Sequence, residues 1–116
     1  MNLVSSARIR YEDLRSIAFG SITGTYASIG SSFENPVRLI KVTNQTDVNC
    51  LISFNGIDDH YIAPAQAGYI YDYGTNKYDQ CGYAEQSAGD RIYVKAEGAL
   101  PTQGSVYVTV IYLAQR

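Results

Sequence analysis

The sequence predicts an all-β fold: a single β-sandwich of jelly-roll-like or Ig-like type, or a small barrel, with an extended N-terminal arm. Apolar and polar residues alternate with period 2 in several short runs, and turn-forming residues separate these runs at short intervals. No segment of helical length has a 3.6-residue period. A chain of 116 residues is expected to form one domain. We divide it into an arm, residues 1–15, and a β-sandwich domain, residues 16–116.

The first part of the chain gives two different signals. The arm contains little apolar surface, so we expect it to lie outside the sandwich, to become ordered only on a partner, and to be removable through residue 16 without loss of the fold. The following stretch, SIAFGSITGTYASIG, has β-branched and aromatic residues interrupted by glycines. It predicts two short strands or one strand with a bulge. The candidate partner contacts in the arm are Arg8, Arg10 and Tyr11.

Two runs in the middle of the chain predict a pair of strands. VRLIKVT occupies residues 37–43 and VNCLISF occupies residues 48–54. The turn-forming residues NQTD between them predict that the two strands form a hairpin. In the second run, alternation places four residues on one buried face: Val48, Cys50, Ile52 and Phe54.

Three later runs also predict strands: YIYDY, DRIYVKA and SVYVTVIYL. In DRIYVKA the buried face consists of Ile92, Val94 and Ala96. In SVYVTVIYL, Val106, Val108 and Val110 lie on one face, and the other face carries Tyr107, Thr109, Ile111 and Leu113. Because this last strand is apolar on both faces, it is either central in a sheet or covered by another chain.

Tyrosine is unusually frequent, with eleven Tyr against three Phe and no Trp. Tyrosine suits half-buried strand positions and also protein interfaces. Period-2 spacing places Tyr69, Tyr71 and Tyr73 on one face of a strand, where they are candidates for contact with a partner or for stacking on a sugar. Ordinary core packing is the alternative, and Asp72 on the opposite face favours it.

The stretch NGIDDH raises the question of a metal or acid/base site, because Asp58 and Asp59 stand directly before His60, the only histidine. Asn55-Gly56 favours a tight turn with positive φ, with a short strand following at His60. Calcium is an alternative if loops bring the oxygen atoms of Asp58, Asp59, Asp72 and the Asn55 amide together. We prefer a solvated hairpin turn.

The chain offers few other groups for catalysis or metal binding. A zinc site needs three or four ligands, whereas Cys50 and Cys81 occupy unrelated strand and loop positions. We predict that both are free thiols rather than a disulfide, since no secretion signal supports oxidation. No serine has the context of an activated nucleophile. We therefore predict no enzyme activity, no catalytic residue, no metal and no cofactor.

The charge pattern disfavours nucleic acid and membranes as partners. The formal net charge is −2 and no long basic run is present. The chain therefore offers few clustered basic side chains that could neutralise the phosphates of a nucleic acid. No apolar run reaches the roughly 18 residues of a membrane span. The N-terminus also lacks the apolar core of a signal peptide, so we expect a protein that stays in, or is assembled in, the cytoplasm.

Taken together, RSIAFGSITGTYASIG, VRLIKVTNQTDVNCLISFNGIDDHYIAPAQAG, YIYDYGTNK, RIYVKAEG and GSVYVTVIY resemble small all-β virion proteins of tailed bacteriophages. The resemblance covers roughly residues 15–113. It implies a head decoration or cement protein, or a head-tail connector, neck or tail component. The implied partners are the major capsid protein or other virion proteins, with a homo-oligomer on the particle and assembly in the host bacterial cytoplasm. A glycan- or receptor-binding module is the alternative from the residues themselves.

Overall fold

The computed structural model describes residues 7–72 and 86–115. It is all-β, with two antiparallel sheets that do not close into a barrel, so the small-barrel alternative is wrong. A single turn of 3₁₀ helix occupies Phe19–Ser21. The strands are β1 (Ala7–Tyr11), β2 (Arg15–Ala18), β3 (Ala27–Ser28), β4 (Leu39–Asn44), β5 (Cys50–Ser53), β6 (Tyr61–Ala63), β7 (Ala67–Asp72), β8 (Tyr93–Ala96) and β9 (Ser105–Gln115).

The first sheet is built around β9, the long apolar strand. β4 pairs along one side of β9, while β1 and β2 follow one another along the other side. β7 pairs with the far side of β4. Of the two explanations for a strand apolar on both faces, the central position is therefore confirmed.

The second sheet has the order β3-β8-β5-β6. Strands β5 and β6 form a hairpin, with Cys50 opposite Ala63 and Ile52 opposite Tyr61. The connecting turn contains Gly56 at φ +75°, a value that favours glycine, as the Asn55-Gly56 pair predicts. The predicted turn before His60 is thus confirmed.

The predicted hairpin between residues 37–43 and 48–54 is wrong. Strand β4 belongs to the first sheet and β5 to the second, so the residues NQTD carry the chain from one sheet to the other. The Asn44 side chain is buried at this crossing, donating to Val48 O at 3.0 Å and Ala63 O at 2.7 Å. Its Oδ1 accepts from the Thr46 backbone N–H at 2.9 Å. A buried polar network therefore redirects the chain where turn-forming residues alone suggest a hairpin.

One hydrophobic core receives the buried faces of both sheets. Strand β9 contributes its three inward valines, and β8 with the residue before it contributes the predicted set of Ile92, Val94 and Ala96. Cys50 and Ile52 are fully buried, as alternation predicts, and Cys50 is a free thiol. Burial raises the pKa of this thiol. Cys81 lies outside the described residues.

The N-terminal segment requires a correction to the predicted arm. Strands β1 and β2 both pair with β9, with Tyr11 opposite Ile111 and Arg15 opposite Val108. The three residues between these pairs on the N-terminal side face two residues of β9, which makes a β-bulge. Residues 7–15 are therefore part of the first sheet, and residues 1–6 lie outside the described part.

Candidate interaction surface

The outer edge of β1 is an open edge of the first sheet. The Glu12 backbone N–H donates to Val110 O at 3.0 Å, which fixes the phase of the ladder with β9. Because bonding direction alternates along an antiparallel strand, residues 8 and 10 bond to β9 while the N–H and C=O groups of Ile9 and Tyr11 point away from it. Among the described residues, no strand pairs with this outer edge.

The side chains of β1 divide into an apolar face and a basic face. Ile9 and Tyr11 are 61% and 65% exposed. They lie on the same face as Leu113 and Ile111, their opposite residues on β9. Arg8 and Arg10 alternate with them and are also exposed. The three residues predicted from the arm are thus brought together on one strand, with Tyr11 on the face opposite to the two arginines.

The apolar face of β1 continues across the outer surface of the first sheet. Inward positions of β9 are Val106, Val108 and Val110, so Ile111 and Leu113 face outward, where both are half-buried. Leu39 of β4 lies opposite Ile111 and continues the row. We call this set the apolar outer surface; its members are Ile9, Tyr11, Leu39, Ile111 and Leu113.

The bulge between β1 and β2 carries a buried ion pair, Glu12 with Arg15, that is not among the candidate residues predicted from the sequence. Glu12 and Arg15 approach to 2.7 Å, and their side chains are 4% and 8% exposed. The second carboxylate oxygen of Glu12 accepts from the backbone N–H of Glu34 at 3.1 Å and of Asn35 at 3.0 Å. The pair therefore ties the bulge to the loop that follows β3.

Arg15 makes further contacts with the same loop. Its Nε donates to Ser31 O at 3.3 Å and its Nη2 to Ser32 O at 3.2 Å. The guanidinium lies 5.3 Å from the centre of the Phe33 ring, a cation–π contact. Gly30, at φ +77°, passes so close that an added Cβ would lie 2.9 Å from Arg15 Cγ. The loop is shaped around this arginine.

A polar cleft of about 180 Å³ opens beside the ion pair. Its lining residues are Glu12, Asp13, Arg15, Ser31 and Glu34. Burial by itself raises the pKa of Glu12, but hydrogen bonds from Arg15 and Asn35 and the charge of Arg15 outweigh it, so the pKa lies below its usual value. Glu12 is thus held as a carboxylate that stabilises Arg15 rather than as a proton donor.

Tyr69 and Tyr71 point inward from β7 and pack against the core. The ring of Tyr71 stacks on Tyr61 with centroids 4.2 Å apart, and it makes an edge contact with Phe54 at 6.4 Å. Tyr69 lies nearly parallel to Tyr71 at 6.5 Å. The two tyrosines therefore belong to an aromatic cluster between the edge strands β6 and β7. Asp72 faces outward, and Tyr73 lies outside the described residues.

The two carboxylates of NGIDDH are engaged in local contacts. Asn55 Oδ1 accepts from the backbone N–H of Asp58 at 2.9 Å, and Asn55 Nδ2 donates to Asp58 Oδ2 at 2.8 Å. Asp59 accepts from the Tyr26 hydroxyl at 2.5 Å and lies 3.4 Å from Lys95 Nζ. The hydrogen bond from Tyr26 lowers the pKa of Asp59. These contacts fold the turn over the outer face of the second sheet.

His60 is also used within the turn. Its Nδ1 accepts from the Phe54 backbone N–H at 3.0 Å, and its ring stacks on Phe54 with centroids 6.1 Å apart. Across residues 7–72 and 86–115, no group of three or more His, Cys, Asp and Glu side chains is placed to hold a metal ion. The same described residues include no helix long and apolar enough to cross a membrane.

Comparisons with protein-family models, with curated proteins and with solved structures find no match for this chain. The resemblance to bacteriophage virion proteins therefore stays a hypothesis.

Proposed function

We propose that this chain is a structural virion protein of a tailed bacteriophage that decorates or cements the capsid. The observation that carries the proposal is the exposure of Ile9 and Tyr11 on an open edge strand beside the apolar outer surface. The partners would be the major capsid protein or other virion proteins, with several copies on each particle. The proposal includes packing of the two sheets as a β-sandwich of jelly-roll-like or Ig-like type.

Edge strands are normally protected in soluble proteins, by charge, by proline, by a bulge or by a covering loop. On β1 the arginines occupy one face only, and the bulge lies after the strand rather than within it. The opposite face joins an apolar row that crosses to β4. An apolar centre that includes an aromatic residue, here Tyr11, beside exposed charged residues is the composition of a protein–protein interface. The same chemistry would serve a neck or tail position.

A glycan- or receptor-binding module receives less support from the geometry. Stacking on a sugar needs an exposed aromatic face, whereas Tyr69 and Tyr71 are half-buried and packed against other rings. Tyr61 is the more accessible ring of the cluster, at 41% exposed. Sugar binding that is lost in Tyr61→Ala would favour this second function.

The first test is quantitative mass spectrometry of virions produced from the genome that encodes this chain. We expect the protein in purified particles at a fixed ratio to the major capsid protein. Its presence in infected cells but absence from particles would contradict the proposal. A ratio of only a few copies per particle would move the assignment from the capsid surface to the neck or tail.

The second test identifies which surface of this protein contacts the particle. A tagged chain carrying Tyr11→Ser and Leu113→Ser is expressed during infection, and its incorporation into particles is compared with wild type. We expect a large loss of incorporation. The matched control carries Ile57→Ser and Leu100→Ser, two exposed apolar residues elsewhere on the surface. Equal incorporation of both double variants would show that attachment does not use the apolar outer surface.

A further inference from the structure

We propose that the outer edge of β1 accepts one extended strand from the partner, in which acidic residues alternate with apolar ones. This inference rests on the proposed function and deepens it by naming the chemistry of the partner segment. Strand addition of this kind uses main-chain hydrogen bonds for affinity and alternate side chains for specificity. Three features of β1 support it: its backbone phase, its charge pattern and its limited length.

The hydrogen-bonding pattern of β1 leaves backbone N–H and C=O groups at its outer edge available for an added strand. The N–H and C=O of Ile9 and Tyr11 point away from β9, because Glu12 N–H bonds to Val110 O and the ladder alternates from there. An added strand would pair with these two residues. It would also extend the apolar outer surface by one strand, since its alternate side chains would lie beside Ile9 and Tyr11.

The charge pattern selects the sequence of the added strand. Arg8 and Arg10 project on the face opposite Ile9 and Tyr11, and neither makes a salt bridge or side-chain hydrogen bond within residues 7–72 and 86–115. Opposite charges on facing strand positions are stabilising and like charges are destabilising. Acidic residues facing the two arginines, with apolar residues between them, satisfy both faces at once.

The same pattern argues against a second copy of β1 as the occupant. Two antiparallel copies related by a two-fold axis keep each face continuous across the junction. Arg8 and Arg10 of one copy would therefore face the arginines of the other. Such pairing places like charges opposite each other, which is unfavourable.

The site is short because the bulge ends it. After Tyr11 the chain departs from strand geometry, and Glu12 turns inward to Arg15. The available edge spans the five residues of β1. An added segment of matching length would bury a small area, so many copies on one particle are needed for stable attachment.

The probe for this inference is a capped heptapeptide, Glu-Val-Glu-Val-Glu-Val-Glu, with Lys-Val-Lys-Val-Lys-Val-Lys as its control. Binding to the isolated full chain is followed by NMR titration and by amide hydrogen exchange. We expect the glutamate peptide to bind, to shift the resonances of β1 and to protect the amides of Ile9 and Tyr11. We expect the lysine peptide to bind at least about tenfold more weakly.

A charge exchange provides the decisive variant. In the variant with Arg8→Glu and Arg10→Glu, binding of the glutamate peptide should weaken by about tenfold or more, and the lysine peptide should bind more tightly than it does to wild type. Both residues are exposed and neither supports the core, so the change acts on binding and not on the fold. Lys41→Glu combined with Arg91→Glu makes the same change in net charge at exposed positions outside β1. This control should retain the wild-type preference.

Several results would overturn the inference: equal binding of both peptides, protection of other amides instead of Ile9 and Tyr11, or the same response in both charge-reversed variants. A concentration-dependent dimer in sedimentation that protects Ile9 and Tyr11 would identify a second copy as the occupant instead. If the glutamate peptide does not bind, but Tyr11→Ser with Leu113→Ser still lowers incorporation into particles, strand addition is rejected and the proposed function stays intact. Peptide binding by a chain absent from particles would reject the proposed function alone.

Discussion

Strands β1 and β2 lie one after the other along the same side of β9, yet they differ in what their side chains contact. In β2, Arg15 is buried and Ile17 packs against the core. In β1, Ile9 and Tyr11 are exposed on the outer face. Pairing with a central strand therefore does not by itself make a segment part of the core. We infer that β2 serves the fold and β1 serves attachment.

The difference follows from what lies beside each half of β9. Strand β4 pairs with β9 only as far as Leu39 opposite Ile111. Beyond that point β9 pairs with β1 alone among the described strands. The bulge falls at this boundary, and the Glu12–Arg15 pair fixes the start of β2 to the loop of residues 31–35. Among the strands of the described residues, β1 thus pairs with β9 alone, and the bulge connects it to β2.

Two deletions give the largest expected contrast between these strands. Removing residues 2–11 deletes β1 and should leave a cooperatively folded protein. Removing residues 2–16 also takes away Arg15 and half of β2, and we expect it to unfold the chain or lower its melting temperature strongly, contrary to the expectation for a detached arm. Circular dichroism and thermal melting distinguish the two. Equal melting of both deletion variants would contradict the assignment of β2 to the fold.

Replacing Glu12 should produce the next largest effect. Glu12→Ala leaves Arg15 buried without its carboxylate, and removing one partner of a buried pair costs about 3–5 kcal/mol when the pair is fully enclosed. The cleft beside the pair admits solvent, so we expect about 2–3 kcal/mol by urea denaturation. Glu34→Ala, on the same cleft but with an exposed side chain, is the matched control and should change stability by less than about 0.5 kcal/mol.

The pair also predicts a pH effect with a definite sign. The pKa of Glu12 is lower in the folded chain than in the unfolded one. The stabilisation is therefore fully present above the usual pKa of a glutamate and is lost as the pH falls through the lowered value. Thermal melting between about pH 6 and pH 2 should show a steeper acid decline for wild type than for Glu12→Gln. Asp47 and Asp59 contribute to both proteins, so parallel curves would exclude a role for Glu12.

Substitutions on β1 should have the smallest effect on stability. Ile9→Ser and Tyr11→Ser remove exposed side chains that do not contact the core, so each should change the free energy of unfolding by at most about 0.5 kcal/mol. A loss above about 1.5 kcal/mol for either would show that β1 supports the fold. The contrast with Glu12→Ala would then disappear.

Much of this fold could be predicted from local alternation, because period 2 reports directly which side chains face a core. The buried valines of β9 and the buried residues Ile92, Val94 and Ala96 follow from the sequence in this way, and the turn at Gly56 follows from the Asn55-Gly56 pair. Strand pairing could not be predicted, because NQTD has the composition of a hairpin turn whether it reverses the chain within a sheet or carries it between sheets. Only the burial of Asn44 distinguishes the two cases.

The candidate site was predicted in part. Arg8, Arg10 and Tyr11 share a strand, but the segment that contains them has too few apolar residues to indicate that it pairs with β9. The Glu12–Arg15 pair was missed because the spacing in EDLR suggests a turn of helix, whereas a bulge brings the same residues together. In the sequence, Tyr69 and Tyr71 have the period-2 spacing of side chains on an exposed strand face, and only the position of Tyr61 shows why they pack inward.

Residue-resolved hydrogen exchange of the isolated chain and of the chain in purified particles tests the division between β1 and β2 most directly. In the isolated chain, the amides of Arg8 and Arg10, which bond to β9, should exchange more slowly than those of Ile9 and Tyr11, which face outward. In particles, Ile9 and Tyr11 should become protected while the amides of β2 stay unchanged. Identical exchange of Ile9 and Tyr11 in the two states would contradict the assignment of β1 as the attachment strand.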